Sequence, residues 1–198
     1  MNDNYTKRPD DPFVIGLIKK YENDPSLLEN GRKPKEFPLL PREILGNWLL
    51  CIPLVHVVKH DCIMTVAKQE NGTDGGIFDK TAGFHYLFQH VYIPTLETPK
   101  GIIRKINNLV INKIQLKVSK GSTYAEGMEL VVFSDAVGFV SPIQINKLIK
   151  GIHDFKSIYA IAIEKKDRGG YHYWLTVLDS PRRYFTFRIF VPFDCDFG

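Results

Sequence analysis

Cysteine is scarce in this chain of 198 residues, and the three cysteines, Cys51, Cys62 and Cys195, are widely spaced. No CxxC pair is present, which argues against a structural zinc site and against a disulfide framework. Reduced thiols are typical of the cytoplasm, so we expect a cytoplasmic protein. The Walker phosphate loop, GxGxxG and GxSxG are also missing, which argues against nucleotide-dependent transferases and serine hydrolases.

Long apolar runs are missing as well. The longest runs from Trp48 to Val58 and is interrupted by Pro53 and His56. It is much shorter than the roughly 20 residues that a helix needs to cross a bilayer. The polar N-terminus, MNDNYTKRPDDP, lacks the apolar core of a signal peptide. We therefore expect no membrane association.

The overall composition is that of a globular protein, with 44% apolar and 24% charged residues. The formal charge of +4 is compatible with DNA binding. Five prolines among many charges in residues 1–40 predict an N-terminal arm with one short helix at Phe13–Tyr21, which could contact a protein partner. Residues 41–198 are predicted to form a single α/β domain.

Apolar spacing after the arm predicts the element order α, β, β, β, α, β, α, β, β, β. Continuous apolar runs at Leu130–Phe133 and Ile158–Ile163 indicate central strands covered on both faces, and hence a mixed sheet flanked by helices. Helices are predicted wherever apolar residues recur at helical spacing, over residues 41–53, 98–117 and 142–155. Pro53 is expected to end or kink the first of them. A strand is the alternative for residues 113–118, KIQLKV.

The stretch NGTDGGIFDK, residues 71–80, joins a tight Asn-Gly turn to a strand that ends in Asp79. An isolated acid after two large apolar residues has two explanations. It either points into a cleft and takes part in chemistry, or it bonds the backbone N–H groups of the next turn.

The order helix, three-stranded meander, helix, strand resembles the core of the PD-(D/E)xK nucleases, the restriction-endonuclease-like superfamily, over residues 41–135. GIFD is similar to the motif on the family's second strand, which implies that Asp79 binds a metal ion. Glu43 matches the acid on the family's first helix, and Gln89 stands where the third strand carries an acid. The resemblance therefore implies a Mg²⁺ site of Asp79, Glu43 and Gln89, a DNA substrate and a homodimer that cuts two strands.

The catalytic lysine of that family has no direct counterpart, because Val91 occupies its position on the third strand. Lys80, next to the candidate aspartate, is the first substitute, and Lys105 and Lys113 on the following helix are alternatives. A second register uses Gln115-Leu116-Lys117 as a literal QxK, and it requires that KIQLKV be a strand.

Two basic segments are candidates for phosphate contacts. Lys117 and Lys120 lie in KVSKGSTY, and Arg182 and Arg183 precede an aromatic strand. Cations at a solvated helix end are the alternative explanation. The sequence therefore predicts a metal-dependent nuclease domain that acts on or binds DNA, in restriction or defence. A catalytically silent nuclease fold that serves as a nucleic-acid or protein interaction module is the alternative.

Two histidines stand four residues apart in HVVKH, His56 and His60. This spacing on a helix can bind zinc, but no Glu follows the first histidine as in the metalloprotease motif. A structural or solvent-facing pair is therefore the expected role.

Overall fold

The computed structural model describes residues 6–24, 41–66, 73–94, 104–135, 137–179 and 185–192. The chain forms two compact units. The N-terminal unit consists of Met1–Phe88 with Pro192–Gly198, and the C-terminal unit consists of Gln89–Val191. The fold is mixed α/β, with a mixed sheet flanked by helices, which confirms the predicted class.

The N-terminal unit packs two helices with short antiparallel strands. Its elements are β1 (Thr6–Lys7), α1 (Pro12–Asn23), α2 (Pro41–His56), β2 (Cys62–Thr65), β3 (Gly76–Asp79) and the first part of β4 (Phe84–Ile93). The strands lie in the order β1-β2-β3-β4, and neighbours are antiparallel. The register pairs Cys62 at the start of β2 with Asp79 at the end of β3.

The first helix begins at the residue that its N-terminal signals indicate. The side chain of Asp11 accepts a hydrogen bond of 2.9 Å from the N–H of Phe13, and Pro12 occupies the first turn. Its buried face carries Val14, Ile18 and Tyr21. The predicted helix in the arm is therefore confirmed.

The second helix does not end at Pro53. It continues to His56, and the N–H groups of Val57 and Val58 both donate to the carbonyl of Pro53, at 3.0 and 3.1 Å. A proline removes one N–H from the helix, but only one further turn follows it here. The chain then turns at Lys59, whose φ of 65° makes it the one non-glycine residue with positive φ among those described.

Gly75 lies where a side chain has no room. Its φ is 131°, and a Cβ atom would lie 2.1 Å from Nδ2 of the buried Asn47. Gly83 also has positive φ, 65°, but open space surrounds it. We expect Gly75→Ala to lower the free energy of unfolding by about 3 kcal/mol and Gly83→Ala by about 1 kcal/mol. Urea denaturation of both variants tests this, and equal losses would contradict the steric explanation.

The C-terminal unit contains the remaining elements. These are the last part of β4, then β5 (Arg104–Lys105), α3 (Asn107–Val118), α4 (Ser122–Ala125), β6 (Glu129–Ser134), β7 (Gly138–Phe139), α5 (Pro142–Ile149), β8 (Ile158–Lys166), β9 (Gly170–Val177) and β10 (Thr186–Pro192). Its strand order is β4-β6-β8-β9-β10. β6 and β8 are parallel, β8 and β9 are antiparallel, and β5 pairs with β7 separately.

The two predicted central strands are confirmed. Every residue of β6 is buried, and β8 is buried over most of its length. Residues of α3 and α5, such as Val110 and Ile145, complete the core around Leu130 and Ile158. Among the described residues, no helix is long and apolar enough to cross a membrane.

The helix α3 starts at Asn107, whereas the sequence predicted a start at residue 98. Residues 95–103 lie outside the described part of the chain. The C-terminal end of α3 decides between helix and strand for KIQLKV. Ile114 is buried while Leu116 is 58% exposed, whereas in a strand both side chains would lie on the same face. The strand alternative was wrong, and with it the second register through Gln115-Leu116-Lys117.

Candidate functional sites

The carboxylate of Asp79 is buried and bonded on both oxygens. It ends β3 with 1% of its surface exposed. Its Oδ2 lies 2.6 Å from Nδ1 of His60, and its Oδ1 accepts a hydrogen bond of 2.9 Å from the N–H of Ala82. The second explanation from the sequence is confirmed, because Asp79 bonds a backbone N–H group of the next turn, and a part in chemistry stays a prediction.

The carboxyl group of Asp79 is ionised at neutral pH. Burial alone raises its pKa, but the hydrogen bonds from Ala82, His60 and the backbone of Thr81, together with the charge of His60, bring the pKa below the ordinary value. A buried carboxylate therefore faces Nδ1, which carries the hydrogen of that contact. The Nε2 atom of the imidazole is the nitrogen that remains for other partners.

The end of α2 positions His60. After Lys59 turns through positive φ, the N–H of His60 donates to the carbonyl of Leu54 at 3.0 Å. This bond fixes the backbone, and the bond to Asp79 fixes the ring. The side chain of His60 remains 29% exposed, so the imidazole is both oriented by a buried carboxylate and accessible to solvent.

Lys80, the first predicted substitute for the catalytic lysine, contacts Asp61. Its Nζ lies 3.7 Å from Oδ2 of Asp61, and its N–H donates to the carbonyl of Asp61 at 2.8 Å. Arg8 reaches the other oxygen of Asp61 at 3.3 Å. These pairs are exposed and contribute little to stability. They place cationic groups around the loop that carries His60.

Glu43 and Asp79 lie towards opposite ends of α2. Glu43 is in the first turn, whereas His60, which contacts Asp79, follows the last turn. Glu43 and His56 are 13 residue steps apart in the helix, a distance of about 20 Å along the axis. Among the described residues, no group of three or more His, Cys, Asp or Glu side chains is placed to hold a metal ion. The magnesium site of Asp79, Glu43 and Gln89 stays a prediction.

The two cysteines that the structure describes are not poised as nucleophiles. Burial, followed by the charge of Asp79, raises the pKa of Cys62 to about 11. Burial, followed by the neighbouring Cys62, also raises the pKa of Cys51 far above its ordinary value. Neither thiol is a thiolate near neutral pH.

A second group of polar side chains lies within the C-terminal unit. The Nζ of Lys117 donates to the hydroxyl of Tyr124 at 2.8 Å, and that hydroxyl donates to Oε1 of Gln89. The Nζ atoms of Lys120 and Lys117 lie 4.7 and 5.5 Å from the centre of the Tyr124 ring. We call Lys117, Lys120 and Tyr124 the lysine–tyrosine cluster.

The turn between α3 and α4 builds this cluster. Lys117 lies in the last turn of α3, and Gly121 then turns the chain with a φ of 93°. The N–H of Tyr124 donates back to the carbonyl of Gly121 at 3.2 Å. The Tyr124 ring packs edge-on against Phe155, with 6.3 Å between ring centres. Gln89 is 5% exposed, and its Oε1 accepts the hydrogen bond from the Tyr124 hydroxyl. The tyrosine is thus a fixed platform for two ammonium groups.

The sequence around the cluster has charge of one sign. From Arg104 to Ala125 it carries five Lys and Arg residues and no Asp or Glu. Lys117 and Lys120, the predicted phosphate contacts, therefore lie in a segment that carries only positive charge. Arg182 and Arg183 lie outside the described residues, so their predicted role stays a prediction.

No protein-family model matches this chain, and no curated protein matches it. The contact between His60 and Asp79 was not predicted from the sequence, where HVVKH was expected to be a structural or solvent-facing pair. The signal that could have found it is the hairpin of β2 and β3. Any register that pairs the start of β2 with the end of β3 brings His60 close to Asp79.

Proposed function

We propose that this chain is a nucleic-acid interaction module that binds the phosphate backbone through the lysine–tyrosine cluster. The observation that carries the proposal is the convergence of two ammonium groups on Tyr124, with Nζ atoms 4.7 and 5.5 Å from one ring centre. A phosphodiester is an anion with several acceptor oxygens, and lysine and tyrosine side chains are common phosphate contacts.

The electrostatics of the cluster favour an anion. Two like charges held near one ring repel each other, and an anion placed between them relieves that repulsion. Lys120 has no carboxylate within ion-pair distance among the described residues. The run from Arg104 to Ala125 adds no acid that would neutralise the surface. Its positive potential would also speed the approach of a polyanion.

Cleavage of DNA by a magnesium-dependent, restriction-endonuclease-like core is the second candidate. In its favour, a buried and ionised Asp79 does end β3, the middle strand of the β2–β3–β4 meander, as the resemblance requires. This candidate includes the predicted core order, the setting in restriction or defence and the homodimer. It requires that DNA cleavage depend on Mg²⁺ and disappear with EDTA.

Loss of the two lysines should weaken DNA binding. We expect Lys117→Ala with Lys120→Ala to raise the Kd for a 20-base-pair duplex about tenfold or more in low salt, and to reduce the slope of log K against log salt by about 2. Fluorescence anisotropy across a salt series measures both. Lys147→Ala with Lys150→Ala removes the same charge from exposed positions at α5 and is the matched control.

Two outcomes would refute the proposal: no DNA binding by the intact protein in low salt, or equal losses in the two double variants. The first would remove nucleic acid as the partner. The second would mean that total charge, and not the cluster, determines affinity.

A further inference from the structure

We propose that His60 and Asp79 form a metal-independent acid–base site for the hydrolysis of phosphodiesters, with His60 as the catalytic residue and Asp79 as the positioning residue. The site lies wholly within the N-terminal unit and does not rest on the lysine–tyrosine cluster. It is distinct from the magnesium site implied by the nuclease resemblance, because it assigns Asp79 to a histidine and not to a metal ion.

The geometry is that of an oriented general base. The carboxylate of Asp79 is almost fully buried and holds Nδ1 of His60 at 2.6 Å. Its second oxygen is bonded to the N–H of Ala82, so the carboxylate itself cannot rotate away. The imidazole is 29% exposed and its Nδ1 is held by Asp79, so Nε2 is the nitrogen left for a water molecule or a substrate. A general base needs this combination of a fixed ring and an accessible nitrogen.

The backbone supports the same interpretation. Lys59 has a φ of 65°, a conformation that is unfavourable for a residue other than glycine. It immediately precedes His60, and the turn at Lys59 brings the N–H of His60 onto the carbonyl of Leu54. Backbone strain of this kind persists where the surrounding structure enforces it, and it often accompanies functional side chains.

The charges around His60 indicate the substrate class. Lys59 is exposed and has no ion-pair partner among the described residues. Arg8 and Lys80 both contact Asp61, the residue that follows His60. Asp10 pairs with Arg8 at 3.2 Å. Three cations and two exposed acids leave a net positive charge around His60, which favours an ester that carries a negative charge. A phosphodiester is such an ester, and water attacks it at phosphorus.

The reaction requires no oxidant, reductant or metal. Nε2 of His60 accepts a proton from water as the water oxygen bonds to phosphorus. The bond from phosphorus to the leaving oxygen breaks, and the imidazolium returns its proton to that oxygen. One water is consumed, and a phosphomonoester and an alcohol are released. The carboxylate of Asp79 stabilises the imidazolium between the two proton transfers.

The test uses the full chain, bis(4-nitrophenyl) phosphate as the probe and 5 mM EDTA throughout, about the level that removes free divalent ions. Release of 4-nitrophenolate is measured against pH. We expect the intact protein to hydrolyse the probe in EDTA, and His60→Asn to lower the rate by about 100-fold or more. The Asn amide can replace Nδ1 in the bond to Asp79, so the fold should persist. It has no atom at the position of Nε2, so it cannot act as the base.

Asp79→Asn separates positioning from structure. Without the carboxylate, Nδ1 loses the acceptor that fixes its hydrogen, so we expect a lower rate and imidazole ¹⁵N signals of His60 that move towards the tautomer with hydrogen on Nε2. A merely structural role would change the rate without changing these signals.

Each result decides the question. Hydrolysis in EDTA that His60→Asn abolishes supports the proposal. Absence of hydrolysis by the intact protein, or a His60→Asn variant as active as the intact protein, overturns it. Hydrolysis that appears only with added Mg²⁺ also overturns it and favours the metal site. Because the probe is a small diester, a failure here leaves the DNA-binding proposal to be judged by its own experiment.

Discussion

Asp79→Ala is expected to lower the free energy of unfolding of the N-terminal unit by about 3 kcal/mol, because a buried carboxylate that accepts two hydrogen bonds is lost and its donors are left unpaired. The variant leaves the N–H of Ala82 without its acceptor and His60 without its anion. Trp48, which is buried in the same unit, reports the transition by fluorescence in urea.

Asp79→Asn is the matched control for this prediction. The amide keeps the volume of the side chain and an oxygen for Ala82, so we expect a loss about half as large. The pKa of Asp79 is lowered in the folded protein, so its stabilisation is present above the ordinary carboxyl pKa and disappears as the pH falls through the folded value. An Asp79→Ala protein as stable as the intact one at neutral pH would show that the contact with His60 contributes nothing.

Glu129→Gln is expected to stabilise the C-terminal unit at alkaline pH. Glu129 is 4% exposed at the start of β6, and its Oε2 has no hydrogen-bond partner among the described residues. Burial raises its pKa to about 7. That pKa includes the effects of Tyr159 and Lys156, which lower it without offsetting burial, and the charge of Asp179, which raises it.

The sign of the effect follows from proton binding. The folded protein holds the proton up to about pH 7, while the unfolded chain releases it near pH 4.5. The stability that Glu129 contributes is therefore full below pH 4.5 and is lost as the pH rises to 7. The shift corresponds to about 3 kcal/mol. At pH 8 the Gln variant should exceed the intact protein by about that amount, and at pH 4.5 the two should be equal.

Urea denaturation at the two pH values measures the difference. Glu126→Gln serves as the control, because Glu126 is exposed three residues away and its substitution should leave stability unchanged at both. If Glu129→Gln and the intact protein differ equally at the two pH values, Glu129 does not titrate with a raised pKa.

The sheet and its core could be predicted because burial determines them locally. Leu130–Phe133 and Ile158–Ile163 are apolar without interruption, and such runs have few alternatives to a strand covered on both faces. Element ends were harder. Pro53 is a strong stop signal in isolation, yet α2 tolerates it near its C-terminal end, where few helical hydrogen bonds remain to be lost.

The two candidate sites differ in how much of each could be predicted from the sequence. Lys117 and Lys120 were found because KVSKGSTY is contiguous, and one glycine turn brings Tyr124 back to them. The contact of His60 with Asp79 was not predicted, because it depends on the register between β2 and β3. The residues that connect the two strands do not determine that register. A shift of one residue in that register would turn Asp79 to the other face of the sheet.

A photochemical cross-link to DNA tests the central claim most directly. A duplex that carries 5-bromouracil is irradiated with the full chain in low salt, and the attached peptides are identified by mass spectrometry. The account predicts attachment in the peptide that contains Tyr124, and its loss in Lys117→Ala with Lys120→Ala but not in Lys147→Ala with Lys150→Ala. Attachment confined to other peptides, unchanged by the first double variant, would contradict it.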